Sequence, residues 1–482
     1  MQLLFLLLLL WPGPPMAPGM EDTAFPHLGE SSQPLPRPCP PRCSCPREDM
    51  VGCDGLDLRV FPDNIARGAQ HLSLQNNQLQ ELPYNELSRL RGLQTLNLHN
   101  NLISSEGEQP GPRAAPGFQH VGTARNNLIA KVPRGALSRQ TQLRELYLQH
   151  NRLTDSGLDA TTFSKLRSLE YLDLSHNQLV EVPAGLPRTL AVLHLGRNRI
   201  RRVEETRLQG AQGLRYLLLQ HNQLGGTGLA PGALRPLRRL HTLHLYGNGL
   251  DRVPQALPRR LRALVLPHNQ VAMLGARDLA AMRRLVELNL AYNRLASARI
   301  HRRAFRRLRA LRSLDLAGNE LTRLPTGLPS SLLALRLPRN QLRALEPQPL
   351  AGLVQLQELS LAYNRLRVGD IDLGTWHGLQ ALKVLDLSHN ELSFVPPDLP
   401  EALEELHLQG NRIGHVGPQA FASTPHLRAL FLRANRLHVT SIAPEAFLGL
   451  PLLRVVDTSD NPEQVLVRLH PTATRRPRAG GP

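Results

Sequence analysis

The apolar positions of this chain fall into one repeated figure. LRELYLQHNRL (143–153), LEYLDLSHNQL (169–179), LAVLHLGRNRI (190–200) and LRYLLLQHNQL (214–224) share the template L-x-x-L-x-L-x-x-N-x-L, and it recurs as far as Asn461. The alternation L-x-L predicts a short strand with both leucines on one face and the residue between them on the other. The asparagine ends the strand and turns inward. Its amide must then find partners among backbone groups of its own and adjacent turns. Seventeen asparagines from Asn77 to Asn461 hold this place, Asn101, Asn127 and Asn151 among them. They predict a ladder of structural amides.

From Asn127 onward the spacing runs 24, 26 and 21 in strict rotation, so the unit is a triplet of 71 residues. The 21-residue steps carry VPAGLPRTL, VPQALPRRL, LPTGLPSSL and VPPDLPEAL. Proline removes a donor and fixes φ, so these connections should be extended rather than helical. The 26-residue steps, such as TDSGLDATTFSKLRSL, have room for a short helical turn, and the 24-residue steps carry segments such as VPRGALSRQTQL. The rotation slips once. SSEGEQPGPRAAPGFQHVGTARNN (104–127) holds no L-x-L strand. By analogy with later repeats, 47 residues should separate Asn101 from Asn127, and 26 do. The stretch reads as a deletion with a foreign junction, or else as an inserted loop. Either predicts poor order at 105–124 and a weak seam between residues 54–103 and the main array.

One such repeat cannot bury its own leucines, whereas stacked copies make a continuous core. The template is that of the leucine-rich repeat. The expected fold is an α/β leucine-rich repeat solenoid, with a curved parallel β-sheet on the concave face and mostly irregular, polyproline and short helical connections on the convex face. Composition agrees: leucine dominates and aromatics make up 4%.

All four cysteines lie in CPPRCSCPREDMVGC (39–53), spaced C-x3-C-x-C-x7-C. Ahead of them, MQLLFLLLLLWPGPPMAPGM has the length of a secretory h-region and is too short to span a bilayer, although no Lys or Arg precedes it. In an oxidising compartment clustered cysteines favour disulfides over zinc, and Cys43 and Cys45 are close for two tetrahedral ligands. Four cysteines allow three pairings. Cys39, Cys43, Cys45 and Cys53 are therefore expected to staple a small cap. The expected layout is a signal peptide (1–19), a disordered Pro/Ser-rich linker (20–38), the cap (39–53), the repeats (54–461) and a basic C-terminal tail (462–482).

The hydrophobic leader, the cysteine spacing, CDGLDLRVFPDNI leading into the repeats and the 21/24/26 rotation resemble the small leucine-rich repeat proteoglycan family. The number of repeats is most similar to its podocan branch. The resemblance implies that Cys39 pairs with Cys45 and Cys43 with Cys53. It also implies a secreted extracellular-matrix protein that binds matrix proteins such as collagen and restrains cell growth. Members usually close the C-terminal end with a cysteine pair, whereas no cysteine follows Cys53 here and the far end is expected to be uncapped or an alternative terminus. No N-x-S/T sequon occurs, and the only Ser-Gly is Ser156-Gly157.

No G-x-S-x-G, phosphate-binding loop, H-E-x-x-H or dinucleotide fingerprint is present, so the chain is read as non-enzymatic with no cofactor. His150, His176, His221, His268 and His389 recur just before ladder asparagines; Arg197, Gly247, Tyr292 and Gly318 fill the same place, so this is a turn position rather than a metal row. Solenoids bind through residues beside the strand leucines. The candidates are Tyr147, Tyr171, Asp173, His194, Tyr216, His244, Asp315, Arg336, Asp386, His407 and Phe431, facing an extracellular protein ligand: collagen, a growth factor or a receptor. The alternative is a soluble decoy that sequesters a signalling protein. The formal charge of +18 is carried almost wholly by arginine. Its bland reading is solvated faces; its functional reading is a heparan-sulfate-binding matrix component. Arg302, Arg303, Arg306, Arg307, Arg475, Arg476 and Arg478 are the candidates for sulfated glycosaminoglycan. No groove-entering motif or stacking platform points to nucleic acid. No membrane span is expected.

Overall fold

A computed structural model describes residues 39–80, 82–103, 132 and 135–473. The expected signal peptide and linker, the 105–124 stretch, Asn127 and the tail arginines Arg475, Arg476 and Arg478 lie outside the described residues. The compact unit that carries the repeats begins at Cys39.

Each L-x-L becomes a three-residue strand. After an antiparallel hairpin of β1 (Ser44–Arg47) and β2 (Met50–Gly52), every later strand pairs in parallel with the next. The series runs through β3 (His71–Ser73), β4 (Thr95–Asn97), β5 (Glu145–Tyr147), β6 (Tyr171–Asp173), β7 (Val192–His194), β8 (Tyr216–Leu218), β9 (Thr242–His244) and β10 (Ala263–Val265). It continues through β11 (Glu287–Asn289), β12 (Ser313–Asp315), β13 (Ala334–Arg336), β14 (Glu358–Ser360), β15 (Val384–Asp386), β16 (Glu405–His407), β17 (Ala429–Phe431) and β18 (Val455–Asp457). The register is constant: Leu146 stands beside Leu172, and Leu264 beside Leu288. Central leucines such as Leu146, Leu172 and Leu335 are fully buried. Each contributes about 1.5–3 kcal/mol.

The asparagines form the expected ladder. The amide of Asn77 donates to the carbonyls of Cys53 (2.8 Å) and Leu74 (2.9 Å) and accepts from the backbone of Leu56 (3.0 Å). Asn293 repeats this with Leu266, Leu290 and Val271. Asn248 departs from it: its Oδ1 is buried without a partner, one repeat after the glycine pair Gly225-Gly226.

The expected weak seam is not observed. β4 pairs directly with β5 in full register, Leu96 beside Leu146. Asn100 donates its backbone N–H to Gln149, and the buried side chain of Gln140 donates to the carbonyl of Leu87. Among the described residues the ladder steps from Asn101 to Asn151. Strand pairing needs only a matching neighbour in space, so the sheet closes whatever the length of chain between.

The connections follow their chemistry with one difference. Those of the 21-residue steps are free of helix, as proline dictates. Three 26-residue steps hold a 3-10 turn, at Asp155–Gly157, Ser297–Arg299 and Val368–Asp370. The α-helical turns, however, fall in 24-residue steps, at Tyr84–Arg89, Glu205–Leu208 and Pro347–Leu350. Two of these steps place Glu or Pro at the helix start, where neither an unpaired N–H nor the macrodipole opposes them.

At the N-terminal end Cys39 is bonded to Cys45 and Cys43 to Cys53. Val51 and Cys53 are buried with the first repeat's leucines, so the hairpin acts as a lid. At the other end the stretch after Asn461 is more than a solvated tail. Val465 is buried, Val467 and Leu469 pack against the core, and Leu466 donates its N–H to the carbonyl of Val439.

Candidate ligand-binding face

A strand of three residues exposes its first and third side chains on the sheet face, because the second points into the core. Every candidate face residue from Tyr147 to Phe431 sits at one of these two positions. The strand spacing of about 4.8 Å sets successive side chains in contact.

Over β5 to β9 the face is aromatic and imidazole-rich. The rings of Tyr147 and Tyr171 lie 5.1 Å apart, and Tyr147 donates its hydroxyl to Glu145 (3.0 Å). Burial raises both phenols above their ordinary range, reinforced for Tyr147 by Glu145 and for Tyr171 by Asp173. Asp173 is buried and fully engaged: Oδ1 accepts from the hydroxyl and N–H of Ser175 (2.6 and 2.9 Å), and Oδ2 lies 3.3 Å from Nδ1 of His194. Burial pushes this carboxyl up, but the His194 and Ser175 bonds outweigh it and hold it below the usual range. Nε2 of His194 meets the side-chain amide of Gln220 at 2.7 Å. Both ring nitrogens of His194 are therefore engaged, one by a carboxylate and one by an amide. His244 is buried with no partner at Nδ1, and burial lowers it to about 4, with the charges of His194 and His221 adding. Tyr216 packs 5.4 Å from His241.

Over β11 to β15 the face turns acidic. Arg336 grips Glu358 through two bonds of 3.2 Å. Asp315 accepts the N–H of Ala317 (2.9 Å); burial raises its carboxyl, and Arg336 offsets this in part. Glu287, which the sequence reading passed over, is raised by burial and keeps one buried oxygen unpartnered. Asp386 is tied to the N–H of Ser388 (2.9 Å). Further along, His407 bonds Glu405 (2.5 Å) and stacks on Phe431 with centroids 4.5 Å apart.

A second row was only half legible. Among the described residues, the one before each ladder asparagine has positive φ, +55° at His150 and +53° at Tyr292, and the N–H groups of these two bond to the next repeat. Constant register stacks these side chains: His150 on His176 (3.8 Å), His268 on Tyr292 (4.6 Å) and Tyr363 on His389 (4.2 Å), with Arg339 over Tyr363 (4.1 Å). Burial lowers His176 to about 4, with His150 and Arg197 adding. Tyr246 and Tyr363 lie off the strand positions that the two-residue alternation marks as outward; a Tyr/His recurrence within two residues of the asparagines is the signal that marks them. Among the described residues no group of three or more His, Cys, Asp or Glu is placed to hold a metal ion. Arg302, Arg303, Arg306 and Arg307 are exposed on a connection, away from this face.

The model of the family described as Leucine rich repeat matches residues 124–179, 188–250, 259–321 and 401–462, and a second Leucine Rich Repeat model matches 381–401. Podocan-like protein 1 of Mus musculus is 62% identical, over 96% of this chain and 99% of its own length. Podocan-like protein 1 of Homo sapiens is 64% identical, over 82% and 94%. The chain belongs to the podocan branch of the small leucine-rich repeat proteoglycans. Lumican of Gallus gallus, in the same family, is 33% identical over 54% of this chain and 77% of its own. These relatives are extracellular-matrix leucine-rich repeat proteins of non-enzymatic families.

The family comparison also bears on the phase slip. The alignment with the human relative runs over 487 positions but takes in 82% of these 482 residues, about 395, leaving about 92 positions with no residue here. That is close to the sum of one 71-residue triplet and one 21-residue step. Among solved structures, a chain of an octameric complex of Latrophilin 3, Unc5D and FLRT2 is 31% identical with a TM-score of 0.51, over 59% of this chain and 80% of that one. A leucine-rich repeat protein of Leptospira interrogans, 23% identical with a TM-score of 0.58 over 84% and 95%, shares the fold.

Proposed function

We propose that the chain is a secreted, non-enzymatic matrix protein that binds fibrillar collagen or another extracellular protein through its concave sheet face, and that it restrains growth signals by doing so. The observation that carries this reading is the continuity of the face. From Tyr147 to Phe431 it presents rigid aromatic, imidazole and paired-charge groups at strand spacing, most of them already held by neighbours. Pre-ordered side chains lose little freedom on binding, and Tyr and Arg are favoured interface anchors. Family membership and a disulfide-stapled cap support an extracellular setting.

Solid-phase binding to fibrillar collagen at two salt concentrations tests it. Binding that survives moderate salt, and falls at least tenfold in Tyr171→Ala/Tyr216→Ala, is the expected result. No binding at low salt sinks the collagen reading. A second reading, a decoy that sequesters a signalling protein or receptor, draws support from the similarity to a chain of the Latrophilin 3–Unc5D–FLRT2 complex. It predicts capture of a soluble protein where collagen fails.

A further inference from the structure

The connections preceding β10, β11 and β12 each carry an arginine pair or cluster shortly before the strand: Arg259 and Arg260 four and three residues before β10, Arg283 and Arg284 four and three before β11, and Arg303, Arg306, Arg307 and Arg309 within ten residues of β12. Because β10, β11 and β12 pair in strict parallel register, these turns come to lie side by side. Together they enclose an open basin of about 1340 Å³. Nine of its twelve lining residues are arginine and the other three are alanine. All nine arginines are exposed, and none takes part in an ion pair among the described residues. Of the two carboxylates on these connections, Asp251 pairs with its neighbour Arg252 at 3.3 Å and Asp278 is turned to the backbone N–H of Gly275 at 2.7 Å. The row extends through Arg238 and Arg239 into a second basin of about 520 Å³.

Nine uncompensated guanidinium groups around one depression repel each other, and only an incoming anion relieves that repulsion. We infer that this basin is the binding site of a linear sulfated polysaccharide, laid along the row of turns across successive repeats. The chemistry selects the class. Guanidinium forks match sulfate and carboxylate oxygens in pairs. The alanine floor leaves room for a polymer chain. No aromatic ring lines the basin, so it offers nothing for nucleobases to stack on. The site differs from the one the sequence suggested. Arg303, Arg306 and Arg307 belong to it, Arg302 does not line it, and its larger part comes from two other repeats. It lies on the connections rather than the sheet face, so it stands independently of collagen binding.

The test measures the full chain against immobilised heparin over a range of salt. The variant R259S/R260S/R283S/R284S/R306S/R307S should lose at least tenfold in affinity at physiological salt and show a shallower dependence on salt. A control removes the same charge elsewhere: R294S/R323S/R343S/R365S/R436S/R454S, all exposed. It should lose less than threefold. Equal losses in both variants overturn the site in favour of diffuse net charge, and an unaffected basin variant overturns it outright. Single-stranded DNA or phosphatidylserine vesicles bound as tightly as heparin would overturn the assigned class. Collagen binding of the basin variant should match that of the unaltered chain, which separates this site from the sheet face.

Discussion

The side chain of Asn151 donates to the carbonyl of Leu98, 53 residues earlier, at 3.0 Å, and accepts the N–H of Ile103 at 2.9 Å. Asn340, deep in the regular array, makes the same bonds to Leu316 (2.9 Å) and Leu321 (3.1 Å). The join after residue 103 therefore carries the normal complement of ladder bonds. Asn151→Ala strands buried backbone groups and should cost about 2–4 kcal/mol. Asn340→Ala should cost the same to within about 0.5 kcal/mol, since additivity errors between distant sites are of that size. Urea unfolding of both variants checks this; a clearly smaller loss at Asn151 would show the seam to be weak after all.

The lid should depend on one disulfide more than the other. Cys53 is fully buried against the first repeat, and its bond to Cys43 closes ten residues; Cys39–Cys45 closes six at the periphery. Cys43→Ser/Cys53→Ser should lose about 2–3 kcal/mol and expose the amides of β1 and β2 to hydrogen exchange. Cys39→Ser/Cys45→Ser should lose less. Equal losses would mean that Cys53 packing contributes nothing.

Two glycines with the same left-handed backbone should respond differently to a methyl group. At Gly185 (φ +69°) a Cβ would stand 1.9 Å from the carbonyl oxygen of Ala160 in the preceding connection. At Gly225 (φ +58°) nothing lies within 4 Å. Gly225→Ala should cost about 1–2 kcal/mol, the left-handed penalty alone. Gly185→Ala must also displace backbone and should cost more, about 3–5 kcal/mol. Thermal unfolding of the two variants separates the contributions.

How much of this was legible depended on period. The strands, the leucine core and the amide ladder follow from a template repeated so often that its spacing is itself the evidence. The outward strand positions, from Tyr147 to Phe431, follow from the two-residue alternation. What escaped the reading depends on which repeats become neighbours. Asn101 finds Asn151 beside it, a step of 50 residues that the spacing does not announce, because pairing is decided in space. Tyr246 stacks between His221 and His268 (4.8 and 4.7 Å), and the basin gathers arginines from three connections; both arise from register between repeats. The α-helical turns sit in the 24-residue steps because first-turn residues such as Glu205 and Pro347, rather than the length of the step, decide where a turn forms.

The buried imidazole of His244 makes the fold sensitive to acid in a defined window. Its native value of about 4 lies below the ordinary 6.5, so between these limits the unfolded chain binds a proton that the folded chain refuses. Stability is then fully present above pH 6.5 and falls as pH drops toward 4, by up to about 3 kcal/mol for this group. Asp173 acts lower. Its folded value is held below the ordinary carboxylate range by His194 and Ser175, so its contribution is present above that range and lost as pH falls through the native value. The two effects separate by substitution. His244→Gln should flatten the fall in unfolding midpoint between pH 7.5 and 4.5 while leaving the steeper fall below pH 4. Asp173→Asn should lower the midpoint at pH 7.5, because it weakens the contact with His194, and should remove part of the loss below pH 4. An undiminished fall between pH 7.5 and 4.5 in His244→Gln would assign that window to another group, with His176, also lowered to about 4, the next to test.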